Sequence, residues 1–346
     1  MAALDIESGT TSPLATSDDV LVRRCMRELD REGLSCEPIA RALKFRLPAA
    51  DVPGGRVSVR NEQALLRDAE CLAHNPFLGW ALGAFELRDL GLYGYAVRNA
   101  ADLRAALDIV IQLSVLLSES AHVVLHVDGG EATLAQACSN GGCCDQVTLR
   151  LMLNHLGELV GPGFEPIRVG LPVRDEDELN GLRERSGLAI EPMDQPLTFV
   201  TFASRLLDQP VHDADAMLAR TLRRLWEEER ERLAQRTHEL NKLQWAILPL
   251  LPFGEPRMDE VAEAMDMSTA ALRKRLASLD TSLTQLVAAL RTGLVGGLLA
   301  EPGMTLPRAA QALGYADVST LTYHHGRSPP MQVAMRKEAY ARYARA

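Results

Sequence analysis

The sequence predicts an α+β N-terminal domain followed by an all-α C-terminal domain with two helix-turn-helix motifs. Residues 19–210 interleave amphipathic helical periods with short β-prone runs, the pattern of an α+β domain. A long charged helical stretch and a Pro/Gly-rich break then separate this region from the rest. Beyond the break, one pattern of short helix, turn residue, capping residue and second helix occurs twice, 48 residues apart between the turn positions Asp266 and Gly314.

A chain of 346 residues, 47% apolar and 24% charged, is long enough for about two cores and has an ordinary globular composition. No run approaches the roughly 18 apolar residues of a membrane span. The start, "MAALDIESGTTSPLATSDD", is acidic and Ser/Thr-rich, unlike a signal peptide. The expectation is a cytoplasmic protein with no membrane partner and a disordered tail over 1–18. Six scattered cysteines do not form the framework of a small secreted scaffold and are expected to be reduced. Net charge is −9, unfavourable for a nucleic-acid partner, but it is uneven: from Glu255 onward there are 11 Lys/Arg against 9 Asp/Glu, a balance of +2, leaving −11 for residues 1–254.

In chain order, "DVLVRRCMRELDREGLSCEPIARALKF" puts Leu21, Cys25, Met26 and Leu29 on one helical face, breaks at Gly33 and resumes toward Ile39, Ala42 and Leu43. After "LPAADVPGGRVSV" come two further helical stretches, and in the second Asp102 is placed to cap a helix with Leu103, Leu107, Val110, Ile111, Val115 and Leu116 along its stripe. "AHVVLHVDGGEATLAQA" reads as a hairpin turning at Asp128-Gly129-Gly130. A helix over 146–160 and strands in "EPIRVGLPV" and "PLTFVTF" complete a domain spanning 19–210.

A helix over 213–247, within a connecting segment 211–248, carries Leu218, Leu222, Leu225, Leu233, Leu240 and Leu243 along a seam. Packing on its own domain and dimerisation fit this seam equally well. The Pro and Gly residues of 249–257 read as a linker. The C-terminal domain, 258–346, opens with Val261, Ala262 and Met265 on the buried face of a short helix. Asp266 is at the turn, where φ is positive, and Ser268 caps a second helix. Leu272, Leu276 and Leu279 face that second helix's core, while Ala270, Arg273 and Lys274 share the opposite side. In the repeat, Ala309, Ala310 and Leu313 occupy the first helix, Gly314 the turn and Asp317 the cap.

Two such motifs joined by the apolar segment 283–300 resemble the AraC/XylS family of bacterial transcription regulators. Earlier stretches, "NPFLGWALGAFELRDLGLYGYAVRNAADLRAAL" and "GRVSVRNEQALL", resemble the N-terminal effector-binding domain of the arabinose-binding type in one of its subgroups. The resemblance covers almost the whole chain. It implies a small-molecule effector held in front, a homodimer, and promoter DNA read behind. Base-reading positions of the first motif carry over to Ser268, Thr269, Ala270, Arg273 and Lys274, of which Arg and Lys suit guanine edges. Those of the second carry over to Val318, Ser319, Thr320, Thr322 and Tyr323, with Tyr323 where the family has Arg. This chain departs from the family where His325 runs directly into "GRSPP", about a helical turn early, and where Gly293, Gly296 and Gly297 enter the bridging helix. The second motif is therefore expected to bind less strongly. The other reading is a ligand- or partner-binding protein whose C-terminal domain no longer binds DNA.

Phe85, Tyr93 and Tyr95 are candidates to line the effector pocket, and core packing explains them equally well. Cys138, Cys143 and Cys144 could suit a soft metal or a redox switch, but their spacing matches no zinc pattern and burial is the usual fate of free cysteines. His122 and His126 fall in a strand-like run, which does not make the i, i+4 pair of a helical metal site. No cofactor, metal site or catalytic motif is expected, so an enzyme is not the reading.

Overall fold

The computed structural model describes residues 15–43, 45–49, 55–137, 143–173, 175–195, 197–212, 214–279, 281–300 and 304–325. They divide into two compact units, one from Ala15 to Arg232 and one from Leu233 onward.

The first unit begins with a strand inside the segment expected to be a disordered tail. Here β1 (Thr16–Asp18) pairs antiparallel with β2 (Arg56–Ser58). Side chains hold the pair: the Arg56 guanidinium donates to the Thr16 hydroxyl (2.8 Å) and carbonyl (2.9 Å), and the Ser17 hydroxyl donates to Glu62 (2.6 Å). Residues 1–14 lie outside the described residues. The helices α1 (Val20–Arg31) and α2 (Glu37–Ala42) flank the break at Gly33, and α3 (Val59–Leu72) and α4 (Leu78–Leu82) follow. Next come α5 (Gly91–Arg98) and α6 (Leu103–Leu117), and Asp102 caps α6 by accepting from the Ala105 amide at 2.8 Å.

A five-stranded sheet forms the other layer, in the order β3-β4-β7-β5-β6. The expected hairpin is β3 (His122–Asp128) with β4 (Glu131–Ala137), turning on Gly129 at φ 56°. Helix α7 (Cys143–Val160) starts three residues before the expected 146. Then β5 (Arg168–Leu171) leads through α8 (Glu176–Ser186) to β6 (Ile190–Pro192), its parallel partner, and β7 (Leu197–Ala203) runs antiparallel between β4 and β5. Neither α8 nor β6 was expected. All but the last residue of β7 is buried, as befits a central strand covered on both faces.

Helix α9 (Ala216–Ile247) contributes Leu222 and Trp226 to the first unit's core and Leu240, Leu243 and Ile247 to the second's. The expected seam is thus divided: Leu222, Leu233, Leu240 and Leu243 are buried, whereas Leu218 and Leu225 are exposed. The first part of the segment 249–257, read as a linker, lies in a 3-10 turn, Leu248–Phe253, with Leu251 buried in the second core.

The second unit continues with α10 (Met258–Ala264), α11 (Thr269–Ser278), α12 (Leu283–Ala300), α13 (Leu306–Ala312) and α14 (Val318–His325). Despite its glycines, α12 runs unbroken. Gly314 turns at φ 69°, and a Cβ there would overlap the Leu251 carbonyl oxygen. Gly314→Ala is therefore expected to destabilise the second unit by about 3 kcal/mol or more. Gly33, also at positive φ (72°), has no atom within 4 Å of a built Cβ. Gly33→Ala should therefore cost only the left-handed term, about 1 kcal/mol. Chemical denaturation of the two variants checks the ranking, and equal losses would contradict it.

Candidate functional site

In the first unit, β1, α1, α3, α5, α6, α7 and the β3-β4 hairpin line a cavity of about 180 Å³. Its walls are chiefly apolar, with Leu66, Leu107, Met152 and Leu156 among them, which is the usual make-up of a small-molecule site. Phe85 and Tyr93 line it. Tyr95 does not: it is 48% exposed, because residues two apart on a helix point about 200° apart and only one of Tyr93 and Tyr95 can face inward.

Three ionisable side chains on the wall were not anticipated. Glu62, buried, accepts the Ser17 hydroxyl, and burial pushes its carboxyl up to about 7. Asp18 is also raised by burial, against the opposing hydrogen bond from the Val20 amide (2.9 Å). His155 is pushed down to about 4 by burial, so its ring is neutral. That ring bonds the Phe85 backbone through one nitrogen, while Nε2 is buried and meets no partner among the described residues. Burial also raises Tyr93, whose hydroxyl stays protonated.

The Glu62 carboxyl has a consequence for stability. Its folded form keeps a proton up to about pH 7, whereas the unfolded form releases it near the ordinary value of 4.5. Folding therefore loses stability as pH rises through this window and is flat above it, with the full swing roughly 3 kcal/mol. Glu62→Gln, which mimics the protonated form, is expected to remove this slope and to be more stable than the parent chain at about pH 8. Thermal unfolding across pH checks this, and an unchanged slope would refute it.

Cys143 is buried, its thiol pushed up to about 12 by burial, and Cys144 is raised well above its ordinary value for the same reason. Thiols held protonated in this way are poor nucleophiles and poor metal ligands. Cys138 lies outside the described residues. No group of three His, Cys, Asp or Glu side chains among the described residues could hold a metal ion. His122 and His126 are exposed on β3.

The second unit presents the expected helix pair. Ser268 caps α11 by accepting from the Ala271 amide (3.2 Å), and Asp266 adopts φ 52° at the turn. Leu272, Leu276 and Leu279 are buried, which turns Ala270, Arg273 and Lys274 outward, all exposed. Thr269 is half-buried. Arg275, next in sequence, is drawn away by Glu239 at 2.8 Å. Arg273 and Lys274 form no side-chain hydrogen bond or ion pair among the described residues, so a face of two available cations remains.

In α14, Asp317 caps by accepting from the Thr320 amide (2.7 Å) and also takes the Thr320 hydroxyl (3.0 Å). Val318 is half-buried against the core under α13, Thr320 and Thr322 are half-buried, and Ser319 and Tyr323 are exposed, Tyr323 at 80%. No Lys or Arg occurs in Val318–His325.

The second motif's frame rests on a residue that sequence reasoning passed over. Arg291 of α12 is buried and donates to the Leu313 carbonyl (2.8 Å), the Gly254 carbonyl (2.8 Å) and Glu255 (2.6 Å), with its guanidinium 4.8 Å from the centre of the Tyr315 ring. Tyr315 in turn shares a 2.8 Å hydrogen bond with buried His325. The signal was present: Arg291 is the single charge in the apolar run 283–300.

Residues 33–211 match the family model described as the arabinose-binding domain of AraC transcription regulator, N-terminal. The ornithine utilization regulator of Pseudomonas aeruginosa is 25% identical over 293 residues, 83% of this chain and 86% of that protein. A crystal structure of the transcriptional regulator CdpR from Pseudomonas aeruginosa aligns over 85% of this chain and 93% of its own at 18% identity and a TM-score of 0.42. That of a DNA-binding transcriptional dual regulator from Escherichia coli K-12 aligns over 29% and 93% at 23% identity, with a TM-score of 0.26.

Proposed function

This chain belongs to the AraC family of transcription regulators, and from that premise we propose that it reads promoter DNA chiefly through α11 while a small molecule occupies the cavity of its first unit. The protein is an effector-controlled transcription regulator. The observation that carries the finer reading is the outward face of α11, where Arg273 and Lys274 stand exposed next to Ala270. Arg and Lys read guanine O6 and N7 in the major groove, and Ala270 offers a methyl-sized contact. Ser268 and Thr269 lie at the helix start, where amides and hydroxyls meet phosphate. From α14, Ser319, Thr320, Thr322 and Tyr323 supply polar contacts without a cation, and Val318 supplies packing.

Leu218 and Leu225, seven residues apart on one face of α9, remain exposed and support a homodimer. No helix among the described residues is long and apolar enough to cross a membrane, and a regulator that reads DNA works in the cytoplasm. The family and its relatives are regulators rather than enzymes.

The test is binding of the full chain to the DNA upstream of its own gene across a salt series. Sequence-specific binding that weakens steeply with salt supports the reading. The absence of α14 cations favours the second reading, a C-terminal domain that no longer binds DNA, and no binding at low salt would establish it.

A further inference from the structure

We propose that the cavity of the first unit takes a small, apolar-bodied amine, its ammonium group held by Glu62. This rests on the reading of that unit as the effector-binding domain. The size argument comes first. At about 180 Å³ the space is slightly larger than a cavity of about 150 Å³ that accommodates benzene, which matches an occupant of one ring or a short alkyl chain with a small polar group.

The walls select the polar group. Glu62 is a carboxyl that lines the cavity, and Asp18 lines it as a second acid. Tyr93, Gln63 and Gln136 can donate or accept and do not discriminate.

No Lys or Arg among the described residues lines the cavity. Arg56, whose charge reaches Glu62, is engaged with Thr16 and with the Leu116 carbonyl (2.7 Å). A carboxylate ligand would therefore be desolvated beside two acids with no cation on the wall to pair with it, whereas an ammonium would gain a carboxylate partner. The apolar body would lie against Phe85, Leu107 and Leu156.

The experiment is calorimetric titration of the full chain at about pH 8 with three probes of one shape: phenethylamine, phenethyl alcohol and phenylacetate. The expected order places the amine tightest, the alcohol weaker, and phenylacetate undetectable. Glu62→Gln, confirmed folded by its thermal midpoint, should lose about 10- to 100-fold of the amine affinity while keeping that for the alcohol. Phenylacetate binding as well as the amine, or an amine affinity untouched by Glu62→Gln, would overturn the proposal and leave the effector reading standing. Failure of all three probes at millimolar concentration would overturn it as well. The underlying reading fails separately if plugging the cavity with Ser114→Phe leaves promoter output unchanged.

Discussion

Arg273→Ala is expected to weaken binding of the full chain to its operator by about 10- to 100-fold and to relax sequence preference at one or two base pairs, because a bidentate arginine-to-guanine contact is worth about 1–3 kcal/mol of discrimination. The structure supplies the geometry for this. Leu272 and Leu276 fix the inward face of α11, so Arg273 points outward without an internal partner to give up. Arg273→Lys separates charge from shape: it keeps the phosphate attraction, and with it the salt slope, but loses the planar fork. The expected result is therefore a near-normal salt dependence with degraded specificity. Lys274→Ala should cost less, about 3- to 10-fold, since a flexible ammonium is a less exact base reader. By contrast Tyr323→Ala, which removes the most exposed side chain of α14, should change affinity by less than about threefold, as an uncharged rim contact. Fluorescence anisotropy on the operator and on a scrambled duplex measures all four.

The second large effect is on the frame. Arg291→Leu is expected to destabilise the second unit by about 3–5 kcal/mol. Little of this comes from the ion pair with Glu255, whose side chain is 59% exposed and whose attraction is screened by solvent. The loss comes from the Leu313 and Gly254 carbonyls, which lose charged donors at 2.8 Å, and from the Tyr315 ring, which loses its cation. Arg291→Lys should recover only part, because one ammonium cannot reach both carbonyls, Glu255 and the ring in the same fork. Hydrogen exchange resolved by segment is the measurement. Protection should collapse over 306–325 and persist across β4 and β7 of the first unit, whereas unchanged protection over 306–325 would show that Arg291 is not the lock.

What was legible in the sequence was local. Asp102, Ser268 and Asp317 announce themselves as caps because a short acceptor before an apolar period has one use there, and each accepts the expected amide. Asp266 at positive φ and the turn at Gly129 were readable for the same reason. Three residues of β6 are too few for any periodicity to show. The α8 helix did carry a signal, since Asp175 caps it by accepting from the Asp177 and Glu178 amides, but its charged surface hid the stripe formed by Leu179 and Leu182.

The long-range parts were not legible. Pro and Gly in 249–257 suggest a linker to anyone counting residues, yet Leu251 is buried and its carbonyl is what Gly314 must pass. Glu62, in the polar run "RNEQ", looks like a solvated helix position until β1 folds over it. The aromatic pair suggested the cavity, and helical geometry admitted only Tyr93.

The most direct test of the account is a single-base substitution scan of the operator against the intact chain. The account predicts that the large losses cluster in one segment of about three or four base pairs per protomer, where α11 lies, and that Arg273→Ala flattens that cluster. Two clusters of equal depth, one helical turn apart and both surviving Arg273→Ala, would contradict it.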